Sequence, residues 1–501
     1  MDEGRLVVVG AGSAGAVVAA RVTEDAAAEV LLIESGPHYP PEALPADLAN
    51  GRRNSMVDHD WGYEFLANQA HDVHPMPRGR ATGGSSAVNT CIALRGQPYD
   101  YDEWADIAGA HWGWAHCLPA FKRLERDLDI DNEWHGQDGP IPIRRHPADE
   151  LVPFQAAFLE ACAAAGHPRC DDHNDPTTTG AGPHAMNKVD GRRMSVAEGY
   201  LAPALGRDNL TLRADTDVVR VRFRNRKVVG LDLRRPGGEP ERLDCDRVVL
   251  SAGVIGTAGI LWRSGIGPRP SLERLGIDVV SDLPVGQHLL DHPGSVLVMP
   301  LLDPSIASGE HPLIQTTMRF TVDDRYPNEM QLQPASFVDV PGIPLMVAMA
   351  VVLGKSAGAG YLYFDSAAPD AKPHIFSKLG CHPDDRRRLR LGLDVGYEVA
   401  TQPVIKELAR VVWPMPEHFA RSDSDWMMGG ISSGYHPCGT APMGPPGDGR
   451  SVCDGHGRVY GVEGLYVADA SLMPTVPSAN LNLPTIMMGE RFGTWFRAKD
   501  I

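Results

Sequence analysis

The sequence predicts an α/β protein with a dinucleotide-binding βαβ unit at its start and a second, separate sheet later in the chain. Three observations carry this. Residues 5–34 read strand, glycine turn, helix, strand, acid. Two later stretches, 247–253 and 464–469, return to short apolar runs that end on small or acidic residues. Between 299 and 431 the glycine turns thin out and the apolar runs lengthen, as in MQLQPASFVDV and IPLMVAMAVVL.

The first unit explains itself residue by residue. RLVVVG is a continuous apolar run, as expected of a strand buried on both faces. In Gly10-Ala11-Gly12-Ser13-Ala14-Gly15, Gly10 serves the tight turn, Gly12 lets a pyrophosphate approach the backbone, and Gly15 permits close helix–strand packing. The helix that starts there offers free N–H groups and a positive dipole end to phosphates. A second apolar run, VLLI, ends on Glu34, which follows Gly15 by 19 residues and is placed to accept ribose hydroxyls.

Composition narrows the function. At 501 residues the chain exceeds one typical core, so two domains or one elaborated domain are expected. A formal charge of −17 argues against nucleic acid or an anionic membrane surface as partner. The eight cysteines show no CxxC pair or zinc spacing, which fits free thiols in a reducing compartment. The chain opens with Asp2 and Glu3 and runs straight into a strand, with no signal-like segment, and residues 343–354, the most apolar later run, are too short to cross a bilayer. A cytoplasmic location is expected.

Farther along, residues 35–60 read as a long surface excursion, and Gly83-Gly84-Ser85-Ser86 as a tight turn against which a flat cofactor can lie. Residues 99–125, rich in Trp and Leu, predict a structural helix with Pro119 near a helix start, and 151–166 another, Ala-rich helix. DDHNDP at 171–176 reads as a capped turn rather than a metal site through His173. Residues 218–223 and 228–233 alternate as a hairpin with Asn225 near its turn, 256–267 reads as a helix with a Gly-rich exit, and 384–390 as a solvated helix face.

Several of these stretches together resemble the glucose–methanol–choline (GMC) oxidoreductases, flavoproteins that oxidise alcohols. Besides GAGSAG and Glu34, residues 79–89 resemble the family's first signature and 253–267 its second, with Val254 and Ala258 departing from the usual choices. RMSVAEGYL, LPVGQHLLDHP, GLYVADASLMP and SANLNLPT are similar to further family blocks, in the family's order. The resemblance implies a Rossmann-like FAD-binding domain (1–150, 192–298 and 432–501) interleaved with an antiparallel-sheet-plus-helices substrate domain (151–191 and 299–431). It implies FAD as cofactor and no metal. Gly10, Gly12, Ser13, Ala14, Gly15 and Glu34 would hold the ADP half, and Val218 would offer its backbone to the adenine. Thr82, Gly83, Asn89, Cys91, Ile92 and Ala93 would line the isoalloxazine, with Asn480, Leu481 and Thr485 near the ring and Asp469 and Ala470 towards the pyrophosphate. Arg80, Thr90, Ala252 and Gly253 complete the cofactor-binding set. Some relatives tether the flavin through a histidine at the position of Val88, so non-covalent FAD is expected.

By the same resemblance His436, in YHPCGTAPMG, is the base that takes the alcohol proton, and Asn482 orients the substrate oxygen. The expected reaction converts a CH–OH group to aldehyde or ketone by hydride transfer to the flavin, with oxygen, a quinone or a redox protein as acceptor. A hydroxynitrile-lyase-like enzyme with an inert flavin and a non-catalytic flavoprotein are the alternatives. The acidic charge admits an amine-bearing alcohol as substrate; aliphatic, aromatic and sugar-derived alcohols fit as well.

Overall fold

The computed structural model describes residues 4–55 and 58–501. Asp2 and Glu3, and two residues of the 35–60 excursion, lie outside that range.

Five parallel strands form the cofactor sheet: β1 (Leu6–Val9), β2 (Val30–Ile33), β3 (Leu210–Arg213), β4 (Arg247–Leu250) and β5 (Leu465–Val467), in spatial order β3-β2-β1-β4-β5. The two central runs, LVVV and VLLI, are buried at every residue, which is why they carry no polar alternation. The 9–10 turn is forced by packing: a Cβ on Gly10 would meet Ser251 O at 2.4 Å, and one on Gly15 would meet Gly10 O at 2.0 Å.

Helix α1 (Gly15–Val22) leaves the glycine turn and α2 (Gly253–Arg263) leaves β4. The last helix, α4 (Asn482–Ala498), lies against α1. Gly489 and Gly493 make that approach possible. A Cβ on Gly489 would come within 2.8 Å of Val17 Cβ, and one on Gly493 within 2.5 Å of Arg21 Cβ. Beside them the buried Glu490 takes an ion pair from Arg21 at 2.8 Å and the Tyr200 hydroxyl.

Above the cofactor sheet stands a six-stranded antiparallel sheet in the order Ser432–Ser433, Pro293–Pro300, Met346–Leu353, Met330–Val338, Thr316–Phe320, Gly180–Pro183. Its faces differ as strand periodicity requires. Leu297, Leu332 and Val351 pack beneath helix α3 (Pro383–Ala400), where Gly392 and Gly396 let the helix sit close. Residues 294, 296, 331, 333, 350 and 352 point the other way, towards the cofactor sheet.

Four expectations need correction. Residues 99–125 form two helices, Pro98–Ala108 and Trp114–Leu124, broken by the glycines at 109 and 113, and Pro119 lies inside the second rather than near its start. The helix face at 384–390 is not all solvated. Asp385 and Arg388 are buried, and Asp385 accepts the N–H groups of Ala357 and Gly358 at 2.8 and 2.9 Å, tying α3 to the loop after the sheet. The 35–60 excursion contains two short helical turns, Pro41–Ala43 and Ala46–Ala49. The second sheet also reaches outside 299–431: Gly180–Pro183 comes from the 151–191 stretch expected in the same domain, but Ser432–Ser433 and a strand that begins at Pro293 come from stretches expected in the cofactor domain. The hairpin at Asn225 forms as expected, with Asn225 and Arg226 at φ of 52° and 62°.

Candidate active site

A cavity of about 760 Å³ lies between the two sheets, at the carboxyl ends of the parallel strands. One end holds Glu34. Its carboxylate accepts the N–H groups of Ala11 and Gly36, each at 2.8 Å. Burial raises its pKa to about 7, against the opposing effect of those two N–H groups and Arg80. Gly10, Gly12, Ser13 and Ala14 form the floor. Gly84 crosses so close above that a Cβ on it would fall 2.8 Å from Gly12 Cα.

Three helix N-termini converge on this floor: α1, α2 and α4. Their positive dipole ends favour an anion. Asp469 locks two of the strand ends together, accepting Gly253 N–H at 2.9 Å, the Thr257 hydroxyl at 2.6 Å and Ser471 N–H at 2.8 Å. Burial raises its pKa.

At the far end stand two histidines. His292 Nε2 lies 2.9 Å from the Pro477 carbonyl, His292 Nδ1 lies 2.9 Å from His436 Nδ1, and His436 Nε2 lies 3.1 Å from Asn480 Nδ2. These contacts determine the proton positions. A carbonyl only accepts, so His292 must carry its proton on Nε2. Its Nδ1 is then an acceptor, and His436 must donate from Nδ1. His436 Nε2 is left as an acceptor at the cavity, where its lone pair takes an N–H of Asn480.

The electrostatics agree. Burial, then His292 and Arg78, hold His436 well below the ordinary histidine pKa, and burial lowers His292 to about 4. Both rings are neutral at pH 7. Beneath them the buried Asp291 accepts the backbone N–H groups of His292 (2.7 Å) and His436 (2.9 Å) and the Ser433 hydroxyl. Burial raises it to about 6. Tyr435 adopts a left-handed φ of 63° in the turn that delivers His436.

Of the residues expected at the cofactor, Gly10, Gly12, Ser13, Ala14, Glu34, Arg80, Asn89, Thr90, Ile92, Val218, Ala252, Gly253, Asp469, Ala470, Asn480, Leu481 and Thr485 line the cavity, as does Val88. Five do not. Gly15 lies under the turn, Thr82 turns to His38 Nδ1 at 3.2 Å, and Gly83 N–H is bonded to Ala11 O. Cys91 and Ala93 are fully buried behind the wall. Their neighbours on alternate positions face the cavity instead.

The larger correction concerns the pair of asparagines. Asn482 lies over the glycine turn, its Oδ1 accepting the Ser13 hydroxyl at 2.9 Å, and its buried Nδ2 has no protein partner. Asn480, not Asn482, stands beside His436. Also absent from the sequence reading were His292, which the DHP motif contains, and the cavity-facing residues of the roof sheet.

Family models for GMC oxidoreductase match residues 5–294 and 356–489. The chain belongs to the GMC oxidoreductase family. Among curated relatives, human mitochondrial choline dehydrogenase is 34% identical over 98% of this chain and 89% of its own. A 5-(hydroxymethyl)furfural oxidase from Methylovorus is 33% identical over 97% of both chains. Pyridoxine 4-oxidase from Mesorbium loti superposes with a TM-score of 0.90 at 27% identity, covering 99% of each chain. The family is FAD-dependent, and the cavity suits that cofactor. A side chain on Gly84 would strike the Gly12 backbone, and the orphaned Asn482 Nδ2 beside three helix N-termini offers a donor to a pyrophosphate. No helix among the described residues is long and apolar enough to cross a membrane.

Proposed function

We propose that this GMC oxidoreductase converts an alcohol to its aldehyde or ketone, with His436 Nε2 as the base. The observation that carries the reading is the hydrogen-bond chain from the Pro477 carbonyl through His292, which leaves His436 Nε2 unprotonated at the cavity, accepting an Asn480 N–H that a substrate hydroxyl would displace. A substrate hydroxyl between His436 and Asn480 would give its proton to Nε2, while Asn480 donates to the oxygen as negative charge develops there. Such a fixed donor is worth about 3–4 kcal/mol when aimed at a developing oxyanion. When bound, FAD supplies the hydride acceptor. Gly10, Gly12, Ser13 and Asn482 would hold its pyrophosphate, Glu34 its ribose, and Val218 its adenine. Val88 offers no nucleophile for a covalent bond, so the flavin is held without a tether.

The test is the flavin absorbance under argon before and after a panel of alcohols. Bleaching by one class of alcohol supports the reading, and admitting air then shows whether oxygen restores the band or another acceptor is needed. Aldehyde released from a cyanohydrin with no bleaching would replace the reading with a lyase. Acid precipitation should release the yellow colour into the supernatant; colour in the pellet would show a covalent flavin.

A further inference from the structure

The roof sheet carries the substrate side of the cavity, and its register places each side chain. Across the row nearest the histidines stand Ser432, Gly294, Val352 and Gln331, opposite one another on four adjacent strands. The next row holds Val296, Ala350 and Gln333. Ile314 closes the edge. Gly294 sits two residues beyond His292 on the same chain, so the first row begins at the reacting end.

Charge is the telling feature of this wall. Among the described residues, the carboxylates lining the cavity are Glu34, Asp217, Asp370 and Asp469, and none is on the roof. Glu34 and Asp469 belong to the ends of parallel strands. Asp217 and Asp370 pair with Arg234, at 3.2 and 4.0 Å, away from the histidines. Arg78, whose Nη2 donates to the Tyr435 carbonyl, is a cation at the reacting end. The carboxylate nearest that end, Asp291, is buried behind the histidines and already engaged by two N–H groups and the Ser433 hydroxyl, so a permanently cationic alcohol would lose its hydration there with no anion on the cavity wall to receive it.

What the roof does offer is a pair of amides. Gln333 Nε2 donates to Gln331 Oε1 at 2.6 Å. Whichever way the two amides are oriented, one bond between them leaves one side chain with a spare N–H and the other with a spare C=O. Both face a wall otherwise made of Val296, Ala350, Val352 and Ile314.

We propose that Gln331 and Gln333 determine the substrate class. Resting on the alcohol-oxidation reading above, the site takes an uncharged alcohol whose apolar or aromatic body carries a second polar group, bound by the amide pair, and it rejects quaternary ammonium alcohols. Overall acidity is therefore no guide to the substrate here, because the negative charge does not reach the substrate wall.

The experiment measures anaerobic flavin reduction with three probes: 5-(hydroxymethyl)furfural, benzyl alcohol and choline. In the parent enzyme 5-(hydroxymethyl)furfural should show a Kd for flavin reduction about tenfold below that of benzyl alcohol, the value of one net hydrogen bond, and choline should leave the flavin oxidised. Gln331→Leu and Gln333→Leu should each collapse the ratio between the two neutral alcohols. Gln331→Glu, which changes little in shape, should turn choline into a reductant of the flavin. Choline reducing the parent flavin faster than either neutral alcohol would overturn the proposal, as would an unchanged ratio in both leucine variants. A flavin that dithionite bleaches but none of the three alcohols does would overturn this proposal, and failure of the wider alcohol panel as well would overturn the alcohol-oxidation reading.

Discussion

Replacing His292 with phenylalanine tests the tautomer argument directly. In the parent, the His436 Nδ1 proton has an acceptor 2.9 Å away and Nε2 is free to take a proton. Phenylalanine fills the space but accepts nothing, so the reactive tautomer now carries a buried N–H without a partner. That costs about 1–3 kcal/mol, while the opposite tautomer, with its proton on Nε2, is satisfied once the Asn480 amide turns its unpartnered Oδ1 towards it, and has no base to offer. The reactive fraction, and with it the rate of flavin reduction, should fall by roughly 5- to 150-fold. Removing the base outright with His436→Ala should cost more, about 10²–10⁴-fold. The two variants therefore separate positioning from catalysis.

The assay is stopped-flow reduction of the bound flavin across a pH series. The pH profile supplies a readout that a packing defect would not move. His292 is one of the groups that hold the His436 pKa down. Without it, His436 protonates more easily, so the acidic loss of rate should move to higher pH. His292→Asn, which restores an acceptor oxygen near the old Nδ1, should recover part of the rate. A phenylalanine variant that retains FAD, reduces as fast as the parent and keeps the parent's acidic limb would refute the reasoning.

Further outcomes follow from the same geometry. Asn480→Ala should lower the reduction rate with FAD still bound, whereas Asn482→Ala should mainly weaken FAD retention; the reverse pattern, read by stopped flow and flavin titration, would return the substrate role to Asn482. Glu34→Ala should lose about tenfold or more in FAD affinity, as a charge-assisted hydrogen bond to the ribose is removed, and a flavin titration checks it. His135 is buried among Glu125, Asp127 and Asp172, at 3.1, 2.9 and 2.7 Å, and although burial opposes it, bonds to Asp127, Asp172 and Glu125 raise its pKa to about 10. Its contribution to stability is complete below its unfolded pKa near 6.5 and is lost as pH rises through about 10. His135→Gln should flatten that alkaline loss of Tm. His292 and His436 act in the opposite sense: their depressed values cost stability as pH falls below about 6.5, so the acid side of the same Tm profile should soften in His292→Phe.

The sequence makes the βαβ unit legible because each of its residues is selected by a local requirement: a buried strand, a turn only glycine permits, a carboxylate at the strand end. His436 is legible from its motif. The choice between Asn480 and Asn482 is not, since the two are separated by one residue at a helix start and either could reach the base. The path of the chain into α4 decides it, turning Asn480 to His436 and Asn482 to Ser13. The roof is half legible. Alternation identifies its strands, but which face looks inward depends on where α3 docks, and Arg388 and Asp385, charged yet buried, disguise that docking as a surface. The recruitment of Gly180–Pro183 and Ser432–Ser433 is a long-range pairing with no local signature.

The contact between Ser13 and Asn482 joins residues 469 positions apart, and this sets a timetable for biogenesis. The phosphate turn leaves the ribosome 469 residues before the second asparagine, and β5 and the helix that braces α1 emerge only towards the end of that interval or after it. The nascent chain must hold its glycine turn and apolar strands through most of synthesis with no lid and no completed edge. Late closure of this kind is slow and exposes chains to misassembly. Flavin supply while the contact closes should therefore govern the yield of active protein more than flavin added to the finished apoprotein.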